Sequence, residues 1–342
     1  MSEKQRFAFR NRHRKTFMTS AQTAGTLDAS NSAPIAAEPV TLPPLQGTAL
    51  AMLTVATALA TFMEVLDTTI ANVAVPTISG SMGVSANEGT SIISSYSLAA
   101  AIAVPLTGWL SRRVGEVRLL ILSVLLFTLF SVLCGFATNY NMLVFFRLMQ
   151  GLVSGPMVPL GQSIMMNSYP PHKRGMAMAF WAMTVVIAPV VGPVMGGYIT
   201  ENFSWPWIFY INVPIGIFCA YSIKTLLKGR DTPTSSDPID VIGLVFLVLG
   251  VGSLQYMLEH ANDLGWFQSK EVVTLTVMAV VGLTFLAIWE WYDKHPVVDL
   301  KLIKNRNFTV GTILQTVGFT IFFGNMVVMP LWLQTVLGYD SF

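Results

Sequence analysis

The chain has 342 residues, 53% of them hydrophobic and only 11% charged, with a formal net charge of +2. A soluble domain carries about 25% charged residues, so the composition excludes a water-soluble globular protein and points to an integral membrane protein. The near-neutral total says little; where the charges sit says more.

Residues 1–46 are polar, and basic at the start, with Lys4, Arg6, Arg10, Arg12, Arg14 and Lys15. No short apolar core with a small-residue cleavage site follows them, so no cleavable signal sequence is expected. The Ser/Thr/Ala/Pro-rich part reads as a disordered tail. The basic cluster reads as a topology determinant and surface anchor rather than a nucleic-acid site.

Nine apolar runs then reach the roughly 20 residues needed to span a bilayer: 48–70, 91–111, 117–137, 141–166, 176–199, 206–227, 240–258, 272–292 and 307–337. The fourth and the last are long and are expected to be tilted or bent. Every Lys and Arg except Arg147 and Lys270 falls in the tail, in alternate connections between runs or, like Arg118 and Lys224, at the run end adjoining such a connection. That asymmetry predicts a cytoplasmic N-terminus and, with nine spans, an external C-terminus. The connections are short. Only 229–240, with Pro233 and Pro238, looks like a linker between units.

The first run carries Glu64 and Asp67, two acids where a membrane helix wants none. Three residues apart, they share a helix face, continued by Thr57, Ala60, Thr68 and Ala71. Leu59, Phe62, Leu66, Ile70 and Val73 are expected on the opposite, lipid-facing side. An acid inside a bilayer is costly and marks an ion or substrate path by default.

The second run ends in Gly108-Trp-Leu-Ser-Arg112-Arg113-Val-Gly115-Glu116-Val-Arg118. On the residues alone this is a charged turn; the functional reading is a latch between helix ends. The fourth run places Arg147, Gln150, Gly151 and Ser154 on one face, with Gly155 following. A permanent cation there needs a partner or water, and either Glu64 or Asp67 could supply it. The static alternative is a structural salt bridge. In the fifth run Ala188, Gly192 and Gly196 repeat every four residues and form a strip for close helix approach. Pro189 and Pro193 lie within it and suggest a hinge, with Gly197 next to it. The sixth run opens with Trp205 and Trp207, which suit the outer interface belt. Cys134 and Cys219 lie in apolar runs and read as packing residues. The four histidines have no metal-ligand spacing, so no metal site and no catalytic constellation is expected.

In this order and spacing the motifs resemble the major facilitator superfamily. Within it they are most similar to the fourteen-span drug:proton antiporters of the EmrB multidrug-efflux type. Residues 66–76 resemble that branch's first-helix signature, 108–118 the superfamily loop motif, 147–155 its Arg–Gln–Gly motif and 188–197 the antiporter Gly-Pro motif. Three positions depart: Arg112 replaces an Asp, Glu116 a basic residue and Ala188 a Gly. Any latch must therefore use different partners, and Glu64 is an extra acid beside the expected Asp67.

The resemblance implies an all-α polytopic fold of major facilitator type. Its parts would be a cytoplasmic tail (1–47), an N-terminal six-helix bundle (48–227), a linker (228–239), two inserted helices (240–292) and the start of a second bundle (293–342). Five of the fourteen spans have no counterpart, which implies a truncated chain. The implied activity is proton-coupled export of lipophilic compounds across the inner membrane, with no cofactor beyond the proton gradient. Asp67, Glu64 and Arg147 would couple protons, and the glycines and prolines above would serve the conformational change. A periplasmic adaptor and an outer-membrane channel are the implied partners. For the literal chain, a non-transporting remnant or scaffold is the alternative.

Overall fold

The computed structural model describes residues 45–235, 238–293 and 296–337. The basic tail lies outside them. Among the described residues the fold is all-α. The helices are α1 (Gly47–Met82), α2 (Ala86–Val114), α3 (Glu116–Gly135), α4 (Tyr140–Ser154), α5 (Met157–Ser168), α6 (Arg174–Asn202), α7 (Trp207–Tyr210), α8 (Asn212–Leu226), α9 (Val241–His260), α10 (Lys270–Tyr292) and α11 (Arg306–Leu337). Eight spans among the described residues are long and apolar enough to cross a membrane, counting α4–α5 and α7–α8 as one each. The 32-residue α11 adds a ninth long helix.

Local chemistry sets the ends. α1 runs through Pro76 and stops at Gly83, whose left-handed backbone (φ 69°) returns its N–H to the carbonyls of Gly80 and Ser79. α2 starts on a capping box: Ser85 accepts from the Glu88 N–H while the Glu88 carboxylate accepts from the Ser85 N–H. The long fourth span breaks at Gly155–Pro156, since a proline has no N–H for the helix ladder. The sixth is interrupted at Ile211, because Pro214 cannot bond the carbonyl of Tyr210.

α1 is the hub. It packs most extensively on α6 and also meets α8, α5 and α2. This corrects one expectation. Leu66 and Ile70, assigned to a lipid-facing side, are buried, and only Val73 of that set is well exposed. A helix ringed by four neighbours has little circumference left for lipid. The two largest core clusters both include residues of α1. One holds Leu53, Met63, Leu120, Phe127 and Met157; the other holds Leu66, Ile78, Ile92, Leu143 and Phe209. α9 and α10 form a close hairpin, where a Cβ on Gly282 would lie 2.8 Å from the Gly250 Cα. That hairpin docks on α2.

The 229–240 connection is strapped to the α2–α3 turn. The Asp231 carboxylate accepts from the Val117 N–H (3.0 Å) and pairs with Arg118 (3.1 Å), and the Thr232 hydroxyl accepts from the Glu116 N–H (3.0 Å). These groups cap the start of α3, which has no side-chain cap of its own. The Ser235 N–H also donates to the Arg112 carbonyl (2.8 Å). Asp231, 116 residues after Gly115, is the acid that pairs with this basic turn. Gly115 has φ 98°, and a Cβ there would run into the Asp231 carboxylate. Gly115→Ala should cost roughly 1–3 kcal/mol, read as thermal unfolding in detergent. The loss should shrink in an Asp231→Ala background, where the clash is gone; an undiminished loss would assign it to backbone strain alone.

Candidate functional site

α1 turns Asp67 inward with Met63, Ile70 and Ala71, and leaves it 2% exposed. α4 begins on Asn139, whose side chain accepts from the Met142 N–H. Its buried face then presents Leu143, Arg147, Gln150, Gly151 and Ser154 in succession. Arg147 lies seven residues beyond Tyr140, about 10 Å into the helix. No water-exposed end is within reach, so the guanidinium must be satisfied inside.

It is satisfied by Asp67. Arg147 Nη1 lies 2.6 Å from Asp67 Oδ2, with both side chains essentially inaccessible. The same nitrogen donates to Gln150 Oε1 (2.8 Å), and Nε donates to the Ile92 carbonyl on α2 (3.2 Å). The guanidinium sits 4.3 Å from the centre of the Tyr96 ring and 5.7 Å from that of Phe209, an attractive placement for a cation. The other carboxylate oxygen, Oδ1, accepts from Asn212 Nδ2 (2.7 Å) and Gln150 Nε2 (3.3 Å). Asn212 also donates to Ser131 (2.9 Å), whose hydroxyl donates to the Phe209 carbonyl (2.9 Å). Residues of α1, α2, α3, α4, α7 and α8 therefore meet around one buried ion pair. Such a pair is held only when its remaining hydrogen-bonding capacity is largely met, and here two side-chain amides and a backbone carbonyl meet most of it.

Sequence left two acids open as partners of Arg147, and the geometry picks Asp67. Glu64, one turn earlier, is half-buried. Its Oε2 is buried with no hydrogen-bond partner, as are Arg147 Nη2 and Asn212 Oδ1. The network is thus tight but not saturated. Among the described residues no group of three or more His, Cys, Asp or Glu could hold a metal.

The motif glycines divide. Gly192 faces the Thr69 side chain and Gly196 lies against the Ile70 backbone, so the strip is where α6 meets α1 one turn beyond Asp67. Gly151 and Gly155 lie against the backbone of α2. Gly197 has nothing near it, and Gly108 is on an exposed helix face. α6 continues as one helix through Pro189 and Pro193. Arg113 stacks its guanidinium 5.7 Å from the Trp109 ring, and Gly115 is the turn held by Asp231. Asn212, Ser131 and Tyr96 are the site residues that sequence reasoning missed. The usable signal was Asn212 itself, an amide inside an apolar run.

The profile of the Major Facilitator Superfamily matches residues 57–342. The chain is 51% identical over 298 residues to the multidrug export protein EmrB of Escherichia coli, covering 87% of this chain and 58% of that protein. It is 51% identical over 299 residues to the fatty acid resistance protein FarB of Neisseria gonorrhoeae, covering 87% and 59%. A crystal structure of the peptide transporter POT in complex with sulfate superposes with a TM-score of 0.53 at 16% identity, over 73% of this chain and 55% of that one; this is a likeness of fold. The chain thus spans somewhat under two thirds of the length of the curated relatives it matches.

Proposed function

The chain belongs to the Major Facilitator Superfamily, and on that premise we propose that it exports lipophilic small molecules in exchange for protons, by alternating access. Because it spans 58% of the Escherichia coli relative, the cycle is proposed for a chain that also carries the matching remainder. The proposed setting is the inner membrane, with the basic helix ends, Arg112 to Arg118 and Lys224 to Arg230, in the cytoplasm. Spans 240–292 would be the inserted pair. By analogy with the export protein it resembles, a periplasmic adaptor and an outer-membrane channel are the proposed partners.

One observation carries the reading: a carboxylate and a guanidinium paired inside a membrane bundle, at the junction of six helices. An ionised Asp67 needs Arg147, Asn212 and Gln150. A protonated Asp67 is neutral, so its hold on Arg147 falls to that of an ordinary hydrogen bond. Arrival of a proton then frees α4 and α8 from α1, and departure of the proton pulls them back. Glu64, with an unpartnered buried oxygen, is the second acid on the route and would face the cargo or hand on the proton. Coupling follows if cargo and proton favour opposite states. Met and aromatic side chains on the exposed faces of α1 and α6, such as Met52, Met176, Phe180 and Met183, suit varied lipophilic cargo because they repack.

The test uses a full-length version in everted vesicles with a fluorescent lipophilic cation. Asp67→Asn should abolish proton-driven efflux while the cargo still binds, because Asn is permanently in the neutral state. Glu64→Gln should weaken the coupling without abolishing binding. Proton-driven efflux that survives both substitutions together would overturn the proposal.

A further inference from the structure

A groove of about 720 Å³ runs down the outside of the bundle between α3 and α8, well apart from the buried ion pair. The two helices are antiparallel neighbours. On α3 its wall is Arg118, Leu122 and Leu125, and on α8 it is Ile217, Tyr221 and Lys224, with Lys228 just beyond the helix end. These positions recur at spacings of four, three and four, so each helix offers one continuous stripe. Leu122, Leu125, Ile217 and Tyr221 are all well exposed. Val117, Ile121, Ala220 and Leu227 make an apolar floor.

Charge is confined to one end. Arg118, Lys224 and Lys228 gather at the basic end, with Asp231 the one acid among the lining residues. Asp231 is already engaged by Arg118 and by the start of α3. Neither lysine forms an ion pair among the described residues. Both are exposed. From Lys228 to Ile217 the stripe covers twelve residues, about 16 Å at the helical rise. That is half of the roughly 30 Å hydrocarbon core, the depth of one leaflet.

We propose that this groove binds one anionic phospholipid, its phosphodiester on Lys224 and Lys228 and one acyl chain between Leu122, Leu125, Ile217 and Tyr221. An oily trough one leaflet deep, capped by uncompensated cations at one end only, matches the shape and charge of that molecule. Basic pockets between helices at the cytoplasmic surface are suited to anionic headgroups. Under the orientation proposed above, the lipid comes from the inner leaflet; the binding itself does not depend on transport.

The test takes the purified chain in mild detergent and offers it phosphatidylglycerol and phosphatidylcholine together, with retained lipid read by native mass spectrometry. Phosphatidylglycerol should be held in preference, one molecule per chain. Lys224→Ala with Lys228→Ala should weaken it about thirtyfold, at about fivefold per cation, with an unchanged melting temperature. The double Lys→Arg variant should hold it as the wild type does. Leu125→Trp should also weaken it by filling the trough while leaving both cations in place. Equal retention of the two lipids, or wild-type retention in the double alanine variant, would overturn the proposal. So would full displacement of phosphatidylglycerol by inorganic phosphate, which would mean an ion site without an acyl chain.

Discussion

Arg147→Ala should destabilise the folded bundle by about 3–5 kcal/mol, the loss expected when one partner of a buried ion pair is removed and the other is stranded. The substitution leaves Asp67 with only Asn212 (2.7 Å) and Gln150 (3.3 Å), and takes one donor each from the Ile92 carbonyl and Gln150 Oε1. It also opens a cavity, because Arg147 is the largest fully buried side chain. Asp67→Asn should also destabilise, since it strands the buried Arg147 cation, but it opens no cavity because the amide occupies the same volume. The double variant Asp67→Asn with Arg147→Met should be more stable than Arg147→Ala alone, because no charge is then left without its partner. Thermal unfolding of the wild type, Asp67→Asn, Arg147→Met and the double variant in detergent closes the cycle, and a coupling energy below about 0.5 kcal/mol would mean that the pair contributes only packing.

That ion pair was half legible. Asp67 and Arg147 announce themselves, since each is a charge in an apolar run, and a permanent cation in such a run has to find an acid. The choice of Asp67 over Glu64 was not legible. It is made by where α4 and α8 cross α1, and by Asn212 and Gln150 aiming their amides at one carboxylate. Both acids satisfy the periodicity equally well; one turn of helix decides. The polar neighbours were hidden for a similar reason. Ser131 sits among phenylalanines and leucines of α3, and its value lies only in being opposite Asn212, 81 residues away.

The fold was more legible than the contacts. Apolar run length located all nine long helices among the described residues, because a bilayer leaves an apolar run of about 20 residues no alternative to helix. The face assignment on α1 failed where it presumed a lipid side. Hydrophobic periodicity distinguishes oily from polar faces, but inside a membrane bundle an oily face serves protein and lipid equally well. Leu66 and Ile70 were therefore placed correctly on the helix and wrongly in the bilayer. The Asp231 strap was out of reach for a different reason. Its residues lie in a stretch that reads only as a Pro-containing linker, and nothing local says that its acid caps a helix more than a hundred residues earlier.

Gly151→Ala and Gly155→Ala should each cost about 3 kcal/mol, the upper part of the range for overpacking a filled interior. At Gly151 the added methyl would meet the Tyr96 carbonyl oxygen and lie 3.0 Å from the Ala99 Cβ. At Gly155 it would lie 2.6 Å from the Ala103 Cβ and 2.8 Å from two backbone atoms of α2. Backbone cannot rotate away as a side chain tip can, so α2 and α4 must move apart. Separation has a second consequence. Arg147 Nε reaches the Ile92 carbonyl of α2 at 3.2 Å, and Tyr96 of α2 covers the guanidinium. Pushing α2 outward lengthens both contacts, so Gly151→Ala should also reduce the destabilisation that Arg147→Ala adds on top of it. Gly197→Ala is the control. It lies in α6 with open space where the methyl would go, and an alanine in a helix is favoured over glycine by up to about 1 kcal/mol. Unfolding midpoints that fall for Gly151→Ala and Gly155→Ala and hold or rise for Gly197→Ala would locate the close contact at the α2–α4 crossing. Midpoints that fall equally for all three would mean that helix flexibility, not contact distance, is what these glycines supply.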